Sequence, residues 1–562
     1  GVSSAASDVY KRQDYMFANL IKTQLQSVNG DVYTLVGIQS TILSFDENHL
    51  FTYKEMGKNT HIAGGLLYDY DGITAVEHNF HLFPETVTNA TTAGAGSINE
   101  GTRLYCFVYE WTDNQGQLHR SATSIPISVH NILNDKNVFT VPTLRVTRKC
   151  ALSGRTEIRI VGYRTLASGT VYYRFTSQSS TYFNDITADT ITINDTAADS
   201  SISSNDILYT TGGVLENYTP GSAKVVDEYR NRLVVAGLED PQLVRYTKER
   251  VVNIEMEFAE EFSFRADNGI GGVTAIAKLD EKLILFKPTE IYYQIGQGPT
   301  ATGAQDDYQQ PIFITTDIGT TDPQSVINMP QGLMFKTSKG YYLLTRALEP
   351  IYIGQAVEEY NDLMVTGAIL CDEFNEVRFT TTGASLVYNY NEGQWSVFNN
   401  KDAISSVLWK NKWTILKDTG NVYVENKNTY FDGEVPVTKK ITTAWLQVAA
   451  FQGAQRIYRV LFLGKLKSKH RLRIDLCYDF DPSIRETFYY DTEAILGSSY
   501  YGEGYYGQES YYGGADPVYQ IEIRPAIQKC QAIRFTLQDL NDDGVNGAGF
   551  ELTGMTLQVG VK

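Results

Sequence analysis

Hydrophobic and polar positions alternate in short bursts along this chain, and between Tyr229 and Asn426 one unit recurs: an apolar strand, a polar turn, a second strand and a less regular connection. Five copies stand at residues 232–246, 282–294, 332–344, 377–388 and 413–423. Their starts lie roughly 50, 50, 45 and 36 residues apart, the spacing of β-propeller blades rather than of helical or leucine-rich solenoids. A lone hairpin cannot bury both faces, so such units must stack, and closing them into a ring protects most strand edges. The pattern predicts an all-β chain built on a β-propeller, with N-terminal blade or blades in 14–100 and the remaining blades in 224–440. Strands at 31–37, 41–45 and 50–53 are expected to supply the blade that closes the ring. Residues 16–28, with Phe17, Leu20, Ile21 and Leu25 at helical spacing, offer a short amphipathic helix instead.

Between 101 and 223 the strands lengthen. Tyr105, Phe107, Tyr109 and Trp111 alternate on one face of a strand that ends at the turn Asp113-Asn-Gln-Gly116. Residues 120–129 are similar to the strands around the serine-rich bend of fibronectin type III domains, and a second set follows at 157–165, 171–175 and 190–193. One or two β-sandwich modules inserted into the propeller are expected here. After Lys440 the blade pattern stops, and period-two strands at 457–463, 472–478, 519–524, 532–537 and 555–559 predict a C-terminal β domain over 441–562. It carries a Tyr-Tyr-Gly repeat at 499–514. Tyr500, Tyr501, Tyr505, Tyr506, Tyr511 and Tyr512 give it large amphipathic contact area suited to a subunit or tip contact, with an exposed turn-rich hairpin as the alternative. Residues 1–13 have no such periodicity and no apolar signal-peptide core. They resemble the translation of a sequencing-library adapter common at the ends of metagenomic contigs, so the natural start is expected to be missing.

Composition narrows the class. With 562 residues, 42% of them apolar, the chain can bury a large core and hold two to four domains. The formal charge of −17, spread along the chain, opposes sequence-specific DNA binding but not contact with DNA that slides past. The lack of any run of about 18 apolar residues argues against stable membrane insertion. Cys106, Cys150, Cys371, Cys477 and Cys530 are odd in number and widely spaced, which fits reduced thiols better than a disulfide scaffold.

Several stretches resemble the tail nozzle proteins of short-tailed bacteriophages, the tail tubular protein B family. They include Phe80-His-Leu-Phe-Pro-Glu85, Tyr109-Glu-Trp-Thr-Asp-Asn-Gln-Gly-Gln-Leu-His-Arg-Ser-Ala122, and residues 163–165, 208–213 and 230–237. Residues 283–287, 295–299, 316–319, 332–335 and 554–559 belong to the same set, so the resemblance spans most of the chain from about Asp71 onward. It implies a structural subunit of the virion tail, assembled in the bacterial host cytoplasm. Its partners would be further copies of itself in a homohexameric ring, the tail adaptor ring and tail fibres, with transient non-specific contact with double-stranded DNA as the genome leaves. No cofactor, metal or catalytic residue is expected, and an acidic wall would keep DNA mobile.

Chemistry-bearing patterns are few. Asp539-Leu-Asn-Asp-Asp-Gly544 matches half of a calcium loop, but position twelve is Phe550, so a hairpin loop is expected. His78 and His81, beside Glu77 and Glu85, fall on opposite faces of an extended chain and read as turn or packing residues. Residues 296–303 are glycine-rich but lack the Gly-Lys-Ser/Thr end that holds phosphate, and read as a loop. The rival classes are a propeller-type polysaccharide-degrading enzyme and a carbohydrate-binding adhesin. The enzyme needs two carboxylates about 5 to 10 Å apart, for which Asp267, Asp317 and Glu358 are the candidates.

Overall fold

The computed structural model describes residues 26–28, 32–34 and 51–561, apart from 152–156, 209–214, 268, 427–428, 434, 449–452, 454, 469, 492–517, 543 and 545–546. It forms two compact units, Gly1–Val424 and Glu425–Lys562. All-β architecture is confirmed, and no helix among the described residues is long and apolar enough to cross a membrane.

The first unit is a β-propeller, with six antiparallel blades among its described residues. Blade one comprises Thr52–Met56, Asn59–Ala63, Tyr68–Tyr70 and Ala75–Glu77. Blades two to six open with Val225–Tyr229, Ala275–Leu279, Ile327–Met329, Val365–Cys371 and Ser405–Trp409, and the last has three strands. The five repeats seen in the sequence are strands two and three of blades two to six. These strands read as unbroken apolar runs because neighbouring blades cover both faces: Leu283, Ile284, Leu285 and Phe286 are all 0% exposed.

The cores therefore lie between blades. Leu283 and Leu285 join Val234 and Tyr246 of blade two, whereas Ile284 and Phe286 join Leu333 and Phe335 of blade four. Each such side chain contributes roughly 1.5–3 kcal/mol by leaving water. Where the first two strands of a blade meet, Arg230-Asn231 and Lys410-Asn411 take positive φ (53° and 57°, 48° and 59°), as a two-residue hairpin turn with the twist of its strands requires. Blade one stands beside blade two, with Lys54 Nζ 2.7 Å from Asp227 Oδ1 and Thr52 Oγ1 accepting from Val226 N at 2.9 Å.

Between blades one and two the chain forms one sandwich. Its larger sheet comprises Leu118–Arg120, Gly101–Thr112, Arg159–Thr165 and Tyr172–Arg174, with Ile127–Asn131 also on Gly101–Thr112. The other sheet comprises Thr190–Asp195, Lys136–Pro142 and Thr88–Thr92. The two strand sets expected from sequence thus merge, and a strand from before residue 101 completes the second sheet. Tyr105, Phe107, Tyr109 and Trp111 do line one face and fill the core with Phe139, Ile160 and Ile193. The opposite face is buried as well, since Cys106 and Val108 pack on Val161, Tyr163 and Leu208.

The second unit pairs two sheets around Val460, Phe462, Ile521 and Ile523 on one side and Leu472, Ile474, Phe535 and Leu537 on the other. The connection after Asp539 is not a hairpin: Ile533–Leu540 pairs with Arg471–Tyr478, and Phe550–Val561 pairs with Gln455–Leu466 in the other sheet, so this loop crosses between layers. His470 Nδ1 lies 2.8 Å from Asp539 Oδ2. At the N-terminus, Gln26–Val28 is a strand paired with Val32–Thr34, which corrects the end of the expected helix, and residues 16–25 lie outside the described residues. Tyr500, Tyr501, Tyr505, Tyr506, Tyr511 and Tyr512 also lie outside them. All five cysteines are free.

Candidate functional site

Three parts of the first unit meet at a cluster of six ionisable side chains. Blade one provides His61 from Asn59–Ala63, Asp69 from Tyr68–Tyr70 and, just past its last strand, His78. The sandwich provides Asp113 from the turn after Gly101–Thr112 and His119 from Leu118–Arg120, while blade two provides Glu255 from the loop before Phe258–Arg265. None of these six side chains is more than 1% exposed.

Asp69 is the hub. His61 Nδ1 stands 2.7 Å from its Oδ1, His78 Nδ1 is 2.8 Å from its Oδ2, and His119 Nδ1 is 3.9 Å from that same Oδ2. Beyond the histidines lies a second pair of carboxylates. His61 Nε2 faces Glu255 Oε1 at 3.5 Å, and His119 Nε2 faces Asp113 Oδ2 at 3.3 Å and Glu255 Oε2 at 3.9 Å. Asn59 Nδ2 donates to Asp113 Oδ2 and Glu255 Oε2, each at 2.6 Å, and the Asp113 Oδ1 atom accepts from the backbone N–H groups of Gln115 and Gln117. His61 Nε2, His119 Nδ1 and Asn59 Oδ1 are buried with no hydrogen-bond partner.

Burial alone would raise the Asp69 carboxyl, but His78 and His61 hold it well below the ordinary carboxylate range. Burial likewise works to raise Asp113, and the hydrogen bonds from His119 and Asn59 outweigh it, leaving its carboxyl lowered. For His61 burial lowers the imidazolium pKa, while Asp69 and Glu255 more than compensate and raise it above 6.5. Beside the cluster Lys149 is also buried. Its ammonium donates to the Glu77 and Asn79 carbonyls at 2.6 Å each, lies 3.3 Å from Glu77 Oε1 and sits over the Phe80 and Trp111 rings. Burial drives the Lys149 pKa down, against the attraction of Glu77.

The residues singled out from sequence fare differently. His78 is a cluster member, whereas His81 and Glu85 are exposed. Asp267 is exposed and pairs with Arg265 at 2.8 Å, Asp317 is exposed at a φ of 63°, and the exposed Glu358 accepts from Tyr352 at 2.6 Å. All three lie at the surface. In the glycine-rich loop the amides of Gln297 and Gly298 both donate to Asp307 Oδ1 at 2.7 Å, so the protein's own carboxylate fills that anion-binding nest. His61, Asp69, Asp113, His119 and Glu255 were not legible as a set. Their one sequence signal is a polar residue within an otherwise buried strand, as in Tyr68-Asp69-Tyr70.

No family model and no curated protein matches this chain. Among solved structures it is similar to the mitotic checkpoint complex, at 10% identity and a TM-score of 0.25, covering 62% of this chain and 92% of that one. It is also similar to the extracellular domain of a hybrid two-component system from B. thetaiotaomicron, at 10% identity and a TM-score of 0.28, covering 92% and 76%. A third is a glycoside hydrolase family 43 arabinoxylan arabinofuranohydrolase from Bacillus subtilis, at 10% identity and a TM-score of 0.18, covering 91% and 96%. Likenesses at this level carry no functional argument.

Proposed function

We propose that this chain is a structural subunit of a short-tailed bacteriophage tail, one of six in a nozzle ring through which the genome leaves the virion. The observation that carries it is where the nozzle-like stretches fall. Residues 109–122 supply Asp113, Gln117 and His119 to the buried junction between sandwich and propeller, Phe80 packs against Tyr109 beneath Lys149, and Leu233 and Val235 of 230–237 fill the core between blades one and two. The resembling residues thus build the buried joint between propeller and insert, and a conduit wall under load needs such a joint. A net charge of −17 suits a wall that DNA must pass without adhering. The ionisable cluster faces inward, closed to a polymer substrate.

The test is the mass of the purified full-length protein in solution, alone and with its cognate adaptor ring. Six chains of 62.9 kDa, about 377 kDa, are expected once the adaptor is present. A monomer that ignores the adaptor and hydrolyses a polysaccharide would replace this reading with the enzyme.

A further inference from the structure

The junction holds three carboxylates, Asp69, Asp113 and Glu255, each at most 1% exposed, and although hydrogen bonds from Asn59 and backbone amides serve two of them, burying three anions together is costly without positive charge beside them. Lys149, the neighbouring cation, is committed to Glu77 and two carbonyls. Compensation can come from within the cluster in two ways besides protonation of a carboxyl group itself, as protons on the histidines or as a cation among them.

The distances separate these two sources. Around Asp69 the histidines make hydrogen bonds of 2.7 and 2.8 Å, whereas around Glu255 and Asp113 the facing histidine N and carboxylate O atoms stand 3.3, 3.5 and 3.9 Å apart, the shortest of them a long hydrogen bond between His119 and Asp113, and the short bonds there come from the Asn59 amide. Hydrogen bonds run about 2.7–3.2 Å. Adjacent ligands of a tetrahedral ion with bonds of about 2.0–2.1 Å are about 3.3 Å apart, the separation of His119 Nε2 from Asp113 Oδ2, while His119 Nε2 and Glu255 Oε2, 3.9 Å apart, would draw together on binding. His61 is set as metal-binding histidines are: its Nδ1 edge is fixed by the Asp69 carboxylate, which leaves Nε2, wholly buried and without a hydrogen-bond partner, facing Glu255.

We propose that Asp113 Oδ2, His119 Nε2 and Glu255 Oε2 bind a divalent transition-metal ion of the zinc class, with His61 Nε2 as the adjacent further donor. Nitrogen and carboxylate donors suit such an ion, and the closed surroundings make it a structural ion rather than a catalytic one. Asn59 takes part. Its amide nitrogen now spans Asp113 and Glu255 while its oxygen has no partner, and turning the amide over presents that oxygen to the cation. The ion pins blade one, the sandwich and blade two together. This assignment does not depend on the nozzle reading.

The test is metal analysis of the full-length protein grown with added zinc and exhaustively dialysed. About one equivalent per chain is expected, held by nitrogen and oxygen donors in X-ray absorption, with a melting temperature that a strong chelator lowers and zinc restores. His119→Gln and Asp113→Asn should lose the ion, while His81→Gln and His130→Gln, at exposed positions, should keep it. Should the cluster variants fail to fold, the wild-type stoichiometry and its absorption spectrum still decide. Wild-type protein that carries no stoichiometric metal and does not respond to chelator or zinc would overturn the proposal and leave protons as the source of charge. Metal retained in a folded His119→Gln variant would overturn it too.

Discussion

Asp69 Oδ1 and His61 Nδ1 stand 2.7 Å apart inside blade one, neither side chain more than 1% exposed. This contact orients His61 across the junction toward Glu255, so a residue of the propeller sets the geometry of a joint between modules. Asp69→Asn leaves His61 and His78 facing a neutral amide. Loss of one partner from a buried ion pair costs about 3–5 kcal/mol. The denaturant midpoint should fall accordingly, and an unchanged midpoint would contradict a buried ion pair between Asp69 and His61.

Lys149 gives a second test of the same joint. Lys149→Met leaves the Glu77 carboxylate without its buried cation and two carbonyls without their donor, and destabilisation of about 3–5 kcal/mol is expected. Adding Glu77→Gln should recover part of this loss, read from a double-mutant cycle in chemical unfolding.

Within the sandwich, Asp199 receives Arg103 through two bonds of 2.9 Å and Arg164 through one of 2.6 Å, and both guanidinium groups are buried. Burial opposes the charged form of Asp199, but these hydrogen bonds and that of the Ala167 amide bring its pKa down from 3.8 to about 2. A lowered carboxylate pKa stabilises the fold above the unfolded value, and that contribution is lost as pH falls from about 4 to about 2. Asp195, raised by burial against the pull of Arg164, works in the opposite sense. Comparing wild type with Asp199→Asn isolates the difference: the stability gap between them should narrow across that window.

Between blades three and four, Phe286 is 0% exposed with its ring centroid 5.0 Å from that of Phe335. Phe286→Ala opens a cavity in an inter-blade core and should cost about 3–5 kcal/mol, measured by chemical unfolding. A cost below about 1 kcal/mol would mean that the blades do not share that core.

The blades were legible because their middle strands, covered on both faces, are uninterrupted apolar runs at regular spacing. Opening strands such as Val225–Tyr229 carry Asp227 and Glu228 and give no such signal. The sandwich was visible strand by strand but its number was not, because the pairing of Arg159–Thr165 with Gly101–Thr112 joins segments separated by a long excursion. The junction was hidden for a related reason. His61, His119 and Glu255 come from three modules, and three-residue spacing drew attention to His81, which points to solvent, while the true neighbours of His78 are brought to it only by folding.

Electron microscopy of the purified protein, alone and on its adaptor ring, tests the central claim most directly. Sixfold rings with an open axial channel are expected, each subunit showing a propeller with its sandwich fixed against it. Isolated propellers that never form rings, with or without the adaptor, would contradict the nozzle.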